Sequence, residues 1–172
     1  MSLKKPKEVP QIPKARKKKL DALLAAVPQA KPDKIEYLCY PAFKFDAVKR
    51  NGYTSLIIET EAEFTSFAYE ITHDFYREKN EISVVLLGLK PKTNTVPGVM
   101  PASAEIVIEE TVGDFTLNVI KQDGCINTMD FNLNIYNKEI AIKKVFLPEK
   151  ENNRKFCEFY VKPQLFEFNS NE

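Results

Sequence analysis

Between about residue 35 and residue 161, apolar side chains recur at every second position over long stretches. The clearest stretch is 129–136, where four apolar residues alternate with polar residues and one tyrosine; the apolar set is Met129, Phe131, Leu133 and Ile135. A period of two places successive side chains on opposite faces of an extended backbone. The pattern therefore predicts a strand with one buried face and one face in water.

Comparable runs predict about nine strands. They lie near residues 35–40, 53–60, 63–73, 81–89, 104–111, 114–121, 125–136, 139–147 and 156–161. Strands this close together leave no room for crossover helices, which favours antiparallel pairing over an α/β fold. An open sheet of this size would leave an apolar face in water. We therefore expect an all-β domain, either an antiparallel β-sandwich or a closed barrel, and the alternation alone does not choose between them.

The segments between the later strands contain residue pairs that are typical of tight turns. Asp123-Gly124, Gly113-Asp114 and Asn137-Lys138 offer residue types that accept the positive φ angles of tight hairpins. We therefore predict that residues 104–147 form a meander of four antiparallel strands.

The N-terminal part of the chain is different in character. The first twenty residues carry eight Lys or Arg and one acid, a local charge of +7, whereas the whole chain has a net charge of +1. Residues 1–13 contain three prolines and show no apolar periodicity, which is typical of a disordered tail. The sequence thus predicts a basic arm within residues 1–30 and a single β domain over residues 31–172.

A short amphipathic helix is expected at the end of the arm. Leu20, Leu23, Leu24 and Val27 fall on one helical face, and Pro28 can end the helix. Such a stripe packs on its own domain or docks into a groove of a partner.

Five basic residues at the start of this helix are candidate anion contacts: Lys14, Arg16, Lys17, Lys18 and Lys19. Clustered cations bind phosphates without sequence preference, and the same cluster has the composition of a nuclear import signal or of a solubilising tail. Aromatic residues of the body lie beside acids as often as bases, so nucleic acid is not the favoured partner. That hypothesis requires an affinity that falls steeply with salt and is lost on deletion of residues 1–19.

Catalytic and metal-binding signatures are missing from the sequence. His73 is the single histidine, the chain has five glycines, and the three cysteines, Cys39, Cys125 and Cys157, are far apart. These numbers fit neither a phosphate-binding loop nor a disulfide framework nor a paired metal site. We therefore expect no enzyme activity, no cofactor and no metal, in a reducing compartment: the cytoplasm, or the nucleus in a eukaryote.

Two further segments are candidate sites. Glu59, Glu61 and Glu63 would share one strand face and could bind a cation or act as an acid and base pair, although a solvated face explains them equally well. The proline-rich loop 90–103 is long for a connection and carries apolar residues at Val96, Val99 and Met100. We expect these three to tuck under the body, with contact to a partner as the alternative.

The resulting functional expectation is a non-enzymatic β-sandwich interaction module that binds a protein partner or self-associates. One alternative is a small β-barrel that holds an apolar ligand, which an enclosed apolar cavity would favour and a filled interior would not. The other is anion or nucleic-acid contact through the basic arm. The longest apolar runs, of about eight residues, are too short to span a membrane, so no membrane partner is expected.

Overall fold

The computed structural model describes residues 31–93, 95–96 and 98–163. The predicted N-terminal helix and basic tail lie outside these residues. The described part of the chain is nearly all β and contains no α-helix, which confirms the predicted class.

The described residues form nine strands, as the alternation predicted. They are β1 (Tyr37–Asp46), β2 (Asn51–Phe64), β3 (Tyr69–Glu78), β4 (Glu81–Pro91), β5 (Met100–Ile108), β6 (Val112–Lys121), β7 (Ile126–Asn134), β8 (Glu139–Phe146) and β9 (Cys157–Phe159). All nine belong to one sheet, in the order β8-β7-β6-β4-β3-β5-β2-β1-β9. The sheet curls into a nearly closed barrel, so the barrel alternative is the correct one.

Strand pairing is mixed rather than wholly antiparallel. Four hairpins, β1–β2, β3–β4, β6–β7 and β7–β8, are antiparallel as expected. The pairs β4–β6, β3–β5 and β1–β9 are parallel. The pairs β3–β5 and β4–β6 arise because β5 returns to lie between β2 and β3, which places β6 beside β4 instead of beside β5, whereas β9 adds separately at the edge beside β1.

The predicted four-stranded meander is therefore wrong at its first junction. β6, β7 and β8 do form a meander, but β5 pairs with β2, with Ile108 opposite Thr54. Gly113 is not part of a hairpin turn. It lies within β6 opposite Leu133, with a φ of 133° that favours glycine.

Large side chains fill the interior of the barrel. Among the fully buried residues are Phe43, Phe131, Phe156, Leu56, Ile58, Ile82, Ile108, Leu117, Met129 and Leu133. They belong to one continuous core cluster to which strands from every part of the sheet contribute. Burial of this apolar surface is the main source of stability for the domain.

Side-chain hydrogen bonds close the barrel where the strand ladder does not. The buried Asn127 side chain accepts the N–H groups of Phe156 and Cys157, both at 2.9 Å, and donates to the carbonyl of Arg154 at 2.9 Å. The Asn153 side chain accepts a hydrogen bond from the N–H of Ile126 and donates one to the carbonyl of Ile126. The segment before β9 is thereby tied to the start of β7, on the far side of the sheet.

An ion-pair cluster lies beside this closure. Arg154 Nη2 bonds Glu36 Oε1 at 2.6 Å, and Lys121 Nζ bonds the other carboxylate oxygen of Glu36. Burial tends to raise the pKa of Glu36, but the hydrogen bonds from Lys121 and Arg154 outweigh burial and lower it. Glu36 is therefore more stable as the carboxylate in the folded protein than in the unfolded chain.

The lowered pKa makes stability depend on pH in a defined direction. In the unfolded chain, the pKa of Glu36 is close to the ordinary value of 4.5. A carboxyl group whose pKa is lower in the folded protein stabilises the fold at pH values above this unfolded pKa. The stabilisation is lost as the pH falls through the folded pKa. We expect Glu36→Gln to destabilise the protein at neutral pH and to differ less from the unmodified chain in acid, measured by urea unfolding at both pH values. Glu149→Gln, at an exposed position, is the control. A pH-independent difference would contradict this assignment.

Candidate functional site

The barrel wall has an opening between β3 and β5. These two strands pair at a single point, Glu70 with Ser103, and then separate. Beyond this point, among the described strands, β3 pairs only with β4, and β5 pairs only with β2. At the opposite end of the opening, the Arg77 guanidinium donates to both carboxylate oxygens of Glu110, at 2.6 and 2.7 Å. We call this opening the seam: residues 72–77 on one side and residues 104–109 on the other.

The β5 side of the seam exposes backbone hydrogen-bonding groups. The N–H of Ala102 points towards β2, since it donates to Thr60 Oγ1 at 2.9 Å. Backbone groups alternate in direction along a strand, so the N–H and C=O of Glu105 and Val107 point into the seam. Beyond Ser103, no strand in the described part of the chain pairs with this edge of β5.

The β3 side of the seam exposes an aromatic ring that belongs to the inner face of the sheet. Phe75 lies opposite Val84, which is fully buried, and directly paired residues point to the same face. Phe75 is nevertheless 41% exposed, and β5, the neighbour of β3 on that side, pairs with β3 only at Glu70 and not at Phe75. An apolar surface is thus accessible through the wall.

A groove of about 450 Å³ forms the mouth of the seam. Its lining residues are Glu70, Ile71, Thr72, His73, Lys90, Lys92, Ser103, Ala104 and Glu105. The predicted candidate His73 is therefore part of a concave surface, where its Nδ1 lies 3.2 Å from the carbonyl of Ile71.

The charges in the groove are mostly paired. Glu70 bonds Lys90 at 3.0 Å, and this lysine lowers the pKa of Glu70. Burial tends to raise the pKa of Glu105, but hydrogen bonds from Lys44 at 2.7 Å and from Ser55 at 2.5 Å outweigh it. Lys92, by contrast, has no ion-pair partner within the described ranges. Its charge nevertheless helps to lower the pKa of Glu70, so Lys92 lies near this carboxylate without forming a close ion pair with it.

The loops at this end of the sheet carry exposed apolar side chains. Val96 is 84% exposed, Val99 is 63% exposed and Phe67, in the turn before β3, is 64% exposed. The N–H of Lys92 donates to the carbonyl of Ala68 at 2.8 Å, which joins the two loops. We call residues 65–68 and the described residues of 92–99 the end loops.

The prediction that the proline-rich loop tucks under the body is wrong for two of its three apolar residues. Val96 and Val99 point into solvent, whereas Met100 is half-buried at the start of β5. The sequence indicated an unusual loop but gave no sign that Phe67, over thirty residues from Val99, would lie at the same end of the sheet.

The glutamates of β2 do not form a site. Glu59 accepts a hydrogen bond from the Tyr40 hydroxyl at 3.0 Å and lies 3.7 Å from Lys162 Nζ, whereas Glu61 and Glu63 are exposed. The register of β2 against β5 shifts between Glu59 and Glu63, so the expected single face is interrupted. Within the described ranges, no three His, Cys, Asp or Glu side chains are grouped so as to hold a metal ion.

The cysteines are buried free thiols and none of them lines the groove with His73. A hydrogen bond with Cys39, together with burial, raises the pKa of the Cys157 thiol well above its ordinary range. A raised pKa disfavours the nucleophilic thiolate. The seam thus offers backbone groups and apolar surface, and its groove does not pair a cysteine with the histidine.

The predicted basic cluster, Lys14 and Arg16 to Lys19, lies outside the described residues. No helix among the described residues has the length and apolar character needed to cross a bilayer. Comparison with protein-family models, with curated proteins and with solved structures finds no match to this chain.

Proposed function

We propose that this domain is a non-enzymatic interaction module whose protein partner contacts the end loops. The observation that carries the proposal is the exposure of Phe67, Val96 and Val99 at one end of the sheet. Exposed apolar side chains gathered in one place are typical of surfaces that associate with another protein. The groove beside them supplies the polar groups that usually surround such a contact.

The apolar-ligand alternative has less support. Phe43, Phe131 and Phe156 occupy the volume that a ligand would need. The groove of about 450 Å³ and a second of about 470 Å³ beside β6 and β7 are open to solvent and lined largely by charged and polar residues. Contact with nucleic acid through the basic arm stays a second hypothesis, for which the local charge of +7 is the sole support.

The test uses charge substitutions in the end loops. We expect Val96→Asp combined with Val99→Asp to weaken binding of the partner by roughly tenfold or more, because carboxylates would have to be desolvated at the contact. A photoreactive residue at position 96 identifies the partner by cross-linking and mass spectrometry, and calorimetry with the purified partner then measures affinity. A covalent dimer of this chain would identify the partner as a second copy.

Val48→Asp is the matched control. Val48 is also a highly exposed valine, but it lies in the β1–β2 turn, at the opposite end of β2 from Phe67. We expect this variant to bind the partner normally. Equal affinities for the end-loop variant and the control variant would refute the proposed function at this surface.

A further inference from the structure

We propose that the seam accepts an extended segment of the partner as an added strand along β5, an inference that rests on the proposed function. The expected guest is about five residues long, with apolar side chains at alternate positions and a carboxylate at the end nearest Lys92.

The backbone groups specify an extended guest. The N–H and C=O groups of Glu105 and Val107 repeat at the spacing of a β-strand and have no strand partner within the described ranges. The groups that match such a row are those of another extended backbone. A compact ligand would leave part of the row unpaired.

Other edges of the sheet are less suited to this role. β8 is an outer strand, but its pairing with β7 shifts register between Asp130 and Phe131, and it carries Lys143 and Lys144. Bulges and lysines are the features that protect edge strands from adding another chain. β9, the other outer strand, has three residues. Residues 104–108 of β5 read Ala, Glu, Ile, Val and Ile, with no proline or lysine.

The two ends of the seam limit what can enter. The Glu70–Ser103 pair closes one end, and the bidentate Arg77–Glu110 ion pair closes the other. The six residues 104–109 between them span about 20 Å at the rise of an extended strand. This length suits one short segment and does not suit open-ended stacking of strands.

The walls of the seam define the side chains of the guest. Alternate residues of an added strand would face inward beside Phe75 and Ile106, where an apolar side chain covers the exposed ring. The remaining residues would face solvent. At the groove end, Lys90 and Glu105 form close ion pairs, whereas Lys92 forms none among the described residues and only helps to lower the pKa of Glu70 through its charge. Lys92 can therefore still form a close ion pair with an acidic side chain of the added strand.

In the experiment, a library of random displayed peptides is selected for binding to the full chain. The selected peptides are then synthesised, and their affinities are measured by calorimetry. Val107→Pro removes the N–H that points into the seam without removing a bond to β2, and proline is tolerated at a free strand edge. We expect this variant to bind the peptides roughly tenfold more weakly, since hydrogen bonds of the added strand are lost. Val107→Thr, which keeps the N–H, should bind normally.

A second measurement covers the case in which Val107→Pro does not fold. Incorporation of the α-hydroxy analogue of valine at position 107 replaces the backbone N–H by an ester oxygen and keeps the side chain. This variant should bind the same peptides more weakly. Amide hydrogen exchange should show fast exchange at Glu105 and Val107 in the free protein and protection in the complex. Lys92→Glu should weaken those selected peptides that carry an acidic residue.

The outcomes separate this inference from the proposed function. Unchanged affinity in both backbone variants, no protection at Glu105 and Val107, or failure to select any peptide would overturn strand addition. The function would still stand if the double Asp variant in the end loops weakened the protein partner. If the backbone variants weakened peptides and the end-loop variant left the partner unaffected, the seam would be the binding site and the end loops would not.

Discussion

Replacing Asn127 by alanine is expected to lower the free energy of unfolding by about 3 to 5 kcal/mol, because three buried backbone groups lose their partners together. These groups are the N–H groups of Phe156 and Cys157 and the carbonyl of Arg154. Each is bonded by the Asn127 side chain, which is 1% exposed, so water cannot easily replace it. Urea unfolding followed by circular dichroism measures the loss.

Asn132→Ala provides the comparison on the neighbouring part of β7. The Asn132 side chain donates to Asp114 Oδ1 at 2.7 Å near the surface, where water can take over the bond. We expect this substitution to cost less than about 1 kcal/mol. A similar cost for Asn127→Ala and Asn132→Ala would mean that the Asn127 side chain does not close the barrel.

Phe131→Ala is expected to be similarly damaging, at about 3 to 5 kcal/mol, because it would leave a cavity in the centre of the core. The Phe131 ring is fully buried and stacks on Phe115, with ring centroids 5.7 Å apart. Thermal and urea unfolding of the purified variant test the prediction.

Tyr136→Ala is the control for loss of an aromatic side chain. Tyr136 follows β7 and is 87% exposed, so its removal should change the free energy of unfolding by less than about 0.5 kcal/mol. If Phe131→Ala were as mild as Tyr136→Ala, the described core packing would be incorrect.

The strands themselves were predictable because alternation is a local property. Residues 129–136 were expected to form a strand, and β7 covers most of them, with Met129, Phe131 and Leu133 buried. The third predicted strand, 63–73, was misplaced, since β2 continues to Phe64 and β3 begins at Tyr69. The aromatic residues in that stretch favour one continuous strand in the sequence, but Phe67 lies exposed in the turn between the two strands.

The neighbours of each strand were less predictable. Gly113-Asp114 has the composition of a hairpin turn, yet β5 and β6 are not paired and Gly113 lies inside β6. Short turns predict adjacent partners, whereas the position of β5 between β2 and β3 depends on contacts distant in sequence. The sequence alone therefore does not reveal the seam, although it indicates His73 and the loop after β4 as candidate sites.

The sequence by itself determined the all-β class of the described residues, the number of their strands, the concentration of basic residues in positions 1–20, and the loop that carries Val96 and Val99. Each follows from composition or from a period of two, which side chains encode directly. The tertiary structure alone decided the order of the strands, the near closure of the barrel and the free edge at Glu105 and Val107. The physical reason is that strands pair through backbone groups that every non-proline residue shares, so the side-chain pattern specifies a strand without specifying its neighbour.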